Sequence, residues 1–262
     1  MDLGLKGKVA IVTGGSRGIG AAIVEGFVKE GANVVIADIG VITAQKLAEK
    51  LGKRGAKLLA VKTDATKKSD VDNLATITMK EFGKIDILVN NAGVPPVWLK
   101  FVDLEEEEWD RVNDVNAKGV YLVTRAVVPH MIAAKYGKII NIASMAGKEG
   151  FAGWDHYAAS KFAVIGLTQS LAKELGESNI NVNDVCPGMV RTHLWDGVLE
   201  ARSKLEGPTP DQIFDSTVEQ YMPLKRPQTS EDIANVVLFL SSEVSANITG
   251  ESVNLTGGMR MD

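Results

Sequence analysis

Short, nearly continuous apolar runs alternate along this chain with longer stretches in which apolar residues recur every three or four positions. Lys8 to Thr13 (K-V-A-I-V-T), Asn33 to Ala37 (N-V-V-I-A), Lys57 to Lys62, Ile85 to Val89, Gly137 to Ser144 and Ile180 to Val185 (I-N-V-N-D-V) are rich in β-branched residues and read as strands buried on both faces. Between them, the run A-A-I-V-E-G-F-V-K-E after the first strand, Ile42 to Leu51 and Ser69 to Phe82 have helical spacing. Leu104 onward through Asp114, Asn116, Leu122 and Met131 predicts one long helical region. A capped helix, T-S-E-D-I-A-N-V-V-L-F-L, and a strand, S-V-N-L, close the pattern. Strand and helix in strict alternation predict an α/β fold, a Rossmann-type doubly wound parallel sheet covered by helices on both faces. His193 to Pro223 breaks the pattern, with Trp195, Pro208, Pro210 and Phe214 among charges, and so long an irregular stretch in a compact domain reads as a substrate lid.

With 262 residues and no repeat, low-complexity tract or linker, the chain is expected to form one domain over 1–262. A net charge of −4 without a basic run offers no phosphate-tracking surface, which excludes nucleic acid as the expected partner. Cys186 is the only cysteine, so no internal disulfide can form, in keeping with a reducing compartment. The polar start M-D-L-G-L-K-G-K and the lack of an apolar run of about 20 residues predict a soluble, cytoplasmic protein without membrane contact.

Candidate chemistry collects at the strand ends. The turn T-G-G-S-R-G-I-G follows the first strand and opens a helix, placing Gly14, Gly18 and Gly20 where backbone turns sharply and approaches a ligand; the amides freed there make an anion site. Asp38 ends the second strand, where a dinucleotide fold puts the residue facing the adenosine ribose. A carboxylate there accepts from both ribose hydroxyls and repels a 2′-phosphate, which predicts NAD as cofactor. Arg17 is a counter-signal, yet Ile39 supplies no second cation. Asp64-Ala65 and N-N-A-G (Asn90 to Gly93) follow the third and fourth strands, and Pro187, Gly188 and Thr192 follow the sixth. Tyr157 and Lys161, four apart, share one helical face, so the lysine cation can favour a tyrosinate. Ser144 stands at the end of the fifth strand beside them. Asn116 is a polar intruder in an apolar stretch and can hold a water near Lys161. His156 points away from its neighbour Tyr157 and reads as structural or at the pocket rim, His130 as solvated, and His193 as a candidate substrate contact. No His or Cys spacing suggests a metal site.

Together the glycine turn, the N-N-A-G, Asn116, Ser144 with Tyr157 and Lys161, and P-G-M-V-R-T resemble the short-chain dehydrogenase/reductase family over nearly the whole chain. The resemblance implies a catalytic tetrad at Asn116, Ser144, Tyr157 and Lys161. It also implies cofactor contacts at Gly14, Arg17, Gly18, Ile19, Asp38, Asp64, Ala65, Asn90, Tyr157, Lys161, Pro187, Gly188, Val190 and Thr192, and assembly as a homotetramer or dimer. One departure stands near the C-terminus, where Thr256 precedes Gly257 and Gly258 in place of the usual aspartate. The implied reaction is reversible hydride transfer between a secondary alcohol and NAD, with Tyr157 as general acid/base. The segment H-L-W-D-G resembles polyol, diol and acetoin-type members of the family. Trp98, Trp154 and Trp195 could instead wall a pocket for a steroid or cyclic alcohol. A 3-oxoacyl carrier-protein reductase, or a dinucleotide-binding module without catalysis, would also carry such a pattern.

Overall fold

The strand order reverses at β1, and that reversal places everything else. In the computed structural model, which describes residues 2–52 and 55–261, the strands are β1 Val9–Thr13, β2 Asn33–Asp38, β3 Leu58–Lys62, β4 Ile87–Asn90, β5 Gly137–Ile142, β6 Ile180–Pro187 and β7 Ser252–Leu255. They form one seven-stranded sheet in the order β3-β2-β1-β4-β5-β6-β7, every pair parallel. The chain builds outward from β1 to β3, then returns to add β4 on the other side. The crevice between the two halves lies at the carboxyl ends of β1 and β4.

Helices α1 Gly18–Lys29, α2 Val41–Leu51 and α9 Ser230–Leu240 cover one face. There Ile23, Phe27, Val34, Ile36, Ile87 and Val237 are fully buried. On the other face α3 Lys68–Phe82, α5 Gly119–Ala134 and α6 Asp155–Leu175 pack over Ile11, Leu74, Leu88, Met131, Ile139 and Val182. Alternate residues of the central strands thus enter two different cores, which is why those strands are apolar throughout. Helix α1 sits close on the glycine turn: a Cβ at Gly20 would stand 2.1 Å from the Gly14 carbonyl oxygen.

The long helical region has a break in it. Helix α4 Glu106–Asn113 passes through a π-turn, Asp114–Lys118, before α5 begins. Such a bulge inserts a residue into the ladder and turns side chains to a new face. The stretch 193–223 also departs from expectation. Far from an irregular loop, it holds α7 His193–Glu206 and α8 Pro210–Tyr221. Its prolines look like breakers in the sequence, but Pro210 occupies the start of α8, where no amide hydrogen is needed, behind a capping box of Thr209 and Gln212. Met189, Leu199, Ile213, Phe214, Val218 and Met222 give the pair a small core of its own.

A polar row crosses the sheet beneath α5 and α6. Asn90, Asn141, Asp184 and Ser252 stand in register on β4 to β7. Asn90 Nδ2 donates to Asn141 Oδ1 at 2.8 Å, Asn141 Nδ2 to Thr168 Oγ1 at 2.7 Å, and Thr168 Oγ1 to Asp184 Oδ1 at 2.6 Å. Ser252 Oγ donates to Asp184 Oδ2 at 2.9 Å. Asp184 is fully buried, and burial pushes its carboxyl up to about 6, against the hydrogen bonds of Thr168 and Ser252 and the charge of Lys161.

These observations carry two predictions. Gly20→Ala forces backbone apart at the turn and is expected to cost about 2–3 kcal/mol in urea unfolding, as overpacking does. Asp184 takes its proton more readily folded than unfolded, so its contribution is full below about pH 4 and is lost as the pH rises through about 6. At about 1.4 kcal/mol per pH unit, the stability of the wild type relative to Asp184→Asn should fall by roughly 3 kcal/mol between about pH 4 and pH 7. A flat difference would return Asp184 to an ordinary carboxylate.

Candidate active site

Strand carboxyl ends and the turns after them enclose a cavity of about 620 Å³. Gly14, Arg17, Gly18 and Ile19 bring the first turn to it. Ser144 lies just past β5, and Tyr157 and Lys161 project from α6. Pro187, Gly188, Val190 and Thr192 close it from the end of β6, with Trp195 on α7. All of these residues carry a signal in the sequence, and the fold brings them together at one edge of the sheet.

Ser144 and Tyr157 are hydrogen-bonded through their side chains. Burial raises the Tyr157 phenol above its ordinary value, and the bond with Ser144 pulls the other way. Lys161 Nζ stands 5.7 Å from the centre of the Tyr157 ring and donates to the Ile142 carbonyl at 2.8 Å. Burial pushes Lys161 down to about 8, against the pull of Cys186 and Asp184. Tyrosine and lysine thus share one face, as their spacing requires. The lysine's own hydrogen bond is to the sheet, and burial outweighs the hydrogen bond from Ser144 at the phenol.

Asn116 does not line the cavity but stands directly behind it, fully buried in the π-turn. Its Oδ1 accepts the Val94 amide at 2.8 Å, and its Nδ2 donates to the Val94 carbonyl at 3.1 Å and to Ser160 Oγ at 3.3 Å. A Cβ at Gly93 would lie 3.2 Å from Asn116 Oδ1 and 3.9 Å from Lys161 Nζ, so the bare glycine leaves the space between those atoms open. Asp38 closes β2; its Oδ2 accepts the Ser16 amide at 3.1 Å and its Oδ1 that of Gly40 at 2.8 Å. Arg17 reaches toward Thr43 Oγ1 at 3.5 Å. Asp64 is occupied locally, accepting from the hydroxyl and amide of Thr66, which hold its carboxyl below the ordinary value. Ala65 is buried in the second core. Asn90 faces away from the cavity: its Nδ2 donates to Thr124 Oγ1 at 2.9 Å as well as to Asn141, and its buried Oδ1 has no partner.

Trp154 does not border the cavity, but its ring meets Tyr157 edge-on at 6.4 Å and Trp195 at 5.5 Å. Trp98 is half exposed on the loop beyond. The His193 side chain lies outside the described residues. Asn91 to Gly93, in the N-N-A-G turn expected on the ligand side, and Asp196 and Gly197, in the H-L-W-D-G segment, also line the cavity. Val94, Pro95, Ile142, Ala143 and Glu200 line it too, and the sequence did not single them out. Glu200 carried no signal, because the helix that bears it was unrecognised.

A dinucleotide fits these residues. Helix α1 has no side-chain cap, and its first-turn amides open at the cavity beside the backbone of Gly14 and Gly18. Among the described residues no group of three or more His, Cys, Asp or Glu could hold a metal ion, and no helix is long and apolar enough to cross a membrane.

The sequence model of the family described as short chain dehydrogenase matches residues 8–203. The 3-oxoacyl-(acyl-carrier-protein) reductase FabG of Thermotoga maritima is 36% identical, covering 97% of this chain and 98% of its own. The (2S)-(R)-hydroxy(phenyl)methylsuccinyl-CoA dehydrogenase subunit BbsD of Thauera aromatica is 38% identical over 98% of each chain. L-sorbose reductase from Gluconobacter frateurii, solved with NADPH and L-sorbose, superposes with a TM-score of 0.94 at 33% identity over the full length of both chains. With a parallel sheet reversing at β1, a glycine turn at the switch point and the family's sequence pattern along most of its length, the chain belongs to the short-chain dehydrogenase/reductase family of oxidoreductases that use a nicotinamide dinucleotide.

Proposed function

We propose that the protein is an NAD-linked dehydrogenase of small secondary alcohols, of the polyol or vicinal-diol kind, acting reversibly on the matching ketones. The observation that carries this reading is the Ser144–Tyr157 pair on a cavity that Asp196 and Glu200 of α7 also line, Asp196 held by Arg191, carboxylates suited to the further hydroxyls of a polyol. Support for NAD comes from Asp38 at the end of β2, with the exposed, uncharged Ile39 next to it. A 2′-phosphate would meet a carboxylate there. Arg17, the one cation in the first turn, pulls the other way, and the solved sorbose reductase carries NADPH.

A nicotinamide dinucleotide held by the glycine turn and the first-turn amides of α1 would supply the hydride chemistry at the alcohol carbon. Tyr157 takes the hydroxyl proton in oxidation and gives it back in reduction, while Ser144 hydrogen-bonds the same oxygen. Lys161 supplies positive charge beneath the tyrosine. Asn116 holds the wall at Val94, and the opening at Gly93 between Asn116 and Lys161 takes the water through which the proton leaves. Trp154 and Trp195, in edge contact, favour a second reading in which the substrate is a hydroxysteroid or other cyclic alcohol. Exposed Trp109, Tyr121 and Phe162 on α4, α5 and α6 support assembly with further copies of the chain.

Tyr157→Phe is expected to lower kcat at least about a hundredfold, the scale of lost acid–base catalysis, with the NAD dissociation constant little changed. Near-normal turnover by that variant would remove the role given to Tyr157. Absorbance at 340 nm with polyols, vicinal diols, hydroxysteroids and 3-oxoacyl thioesters should show kcat/KM greatest for the first two groups, and at least about tenfold in favour of NAD over NADP, a difference of about 1.4 kcal/mol. A clear preference for NADP would overturn the cofactor assignment, and silence on every substrate would leave a binding module.

A further inference from the structure

The loop after β4 forms one wall of the cavity and is held by side chains of α4 and the π-turn as well as by its own Asn91. It leaves the glycine turn at Asn91, whose Nδ2 donates to the carbonyls of Thr13 and Gly14, passes Lys161 at Gly93, and reaches Val94 and Pro95 on the cavity. Asn116 holds Val94 by both its amide and its carbonyl. Arg111 Nη2 donates to the Pro95 carbonyl at 3.0 Å. The Glu108 carboxylate lies near the Val97 amide and accepts two bonds from Arg111, Nε to Oε2 at 2.6 Å and Nη2 to Oε1 at 2.8 Å.

On its other side Glu108 meets the catalytic helix. Its Oε1 lies 3.3 Å from Nε2 of His156, a close approach without hydrogen-bond geometry; His156 is 1% exposed in the first turn of α6 and directly precedes Tyr157. Of the acidic run that opens α4, Glu105, Glu106 and Glu107 are exposed, as a solvated first turn should be; Glu108 alone turns inward. The bond from Arg111 holds the Glu108 carboxyl below its ordinary value. Burial pushes His156 down, opposed by Glu108 and Asp155 and reinforced by Arg111. Glu108 is therefore a fixed anion between a cation, a backbone amide and an imidazole.

The same loop supports a second one. Leu99 donates its amide to the Gly153 carbonyl at 3.1 Å, and the Trp98 indole lies so close over Gly153, at φ +80°, that a Cβ there would stand 2.3 Å from Nε1. Next along the chain is Trp154, edge-on to Tyr157.

We propose that Glu108 is a positioning residue for the substrate: it locks the wall segment Val94–Val97 to the helix that carries Tyr157, and so sets the affinity for the alcohol and not that for the dinucleotide. The effect on affinity rests on the proposed alcohol dehydrogenase activity; the lock itself does not. Glu108→Gln keeps the side chain's shape and removes its charge. In it KM for the alcohol should rise about tenfold with kcat changed far less, the signature of lost uniform binding. The NAD dissociation constant, read by fluorescence titration, should stay within about twofold of the wild type. Amide hydrogen exchange should quicken across 94–99 and 151–154 and stay unchanged across 14–20. Glu108→Asp, which keeps the charge on a shorter arm, should recover part of the protection. Unchanged exchange at 94–99, or an NAD dissociation constant rising in step with KM, would overturn the proposal. If the wild type turns over no alcohol, only the substrate reading fails, and the exchange pattern still decides the role of Glu108.

Discussion

A buried ammonium satisfied by a strand carbonyl holds the site together. Lys161 is almost wholly enclosed, and an enclosed cation without a partner costs several kcal/mol. Its bond to the Ile142 carbonyl pins α6 to the carboxyl end of β5, and through α6 it sets Tyr157 beside Ser144, two residues past that strand. Ser144 and Tyr157 are thus carried by two rigid elements joined at a point next to them. Burial has opposite effects on the two ionisable groups, lifting the phenol and lowering the lysine.

Around that pin, backbone is placed by polar side chains. Asn116 lies in a π-turn, and only that break in the helical ladder aims its amide at Val94. Asn91 performs the corresponding task at the glycine turn, binding Thr13 and Gly14. The polar row from Asn90 to Ser252 fastens the four strands β4 to β7 to one another and, through Thr124 and Thr168, to the helices above. Polar residues inside an otherwise apolar sheet fix register, because each bond is satisfied only when its strands are aligned.

Much of this was legible in the chain. Alternating strand and helix periods lead directly to a parallel sheet, and the glycine turn followed about 20 residues on by Asp38 marks the dinucleotide edge. Tyr157 with Lys161 needed only the helical repeat. The readings that came out differently have physical reasons. Residues 193–223 looked irregular because Pro208 and Pro210 interrupt them, yet Pro210 begins a helix. Asn90 belonged to a motif at the ligand edge, but its side chain falls on the face of β4 that packs against α5. Glu108 sat among three other glutamates with nothing in the spacing to distinguish it.

By itself the sequence determined the fold class and which strand ends and side chains gather as a candidate site, because each follows from local periodicity and residue type. Tertiary structure decided what depends on distant segments meeting. It turned Lys161 to a strand carbonyl, gave Asp184 a buried environment that favours its neutral form, and drew Glu108 between Arg111, Val97 and His156. Those outcomes rest on burial and on contacts made across dozens of residues, and neither is written in the spacing of any one segment.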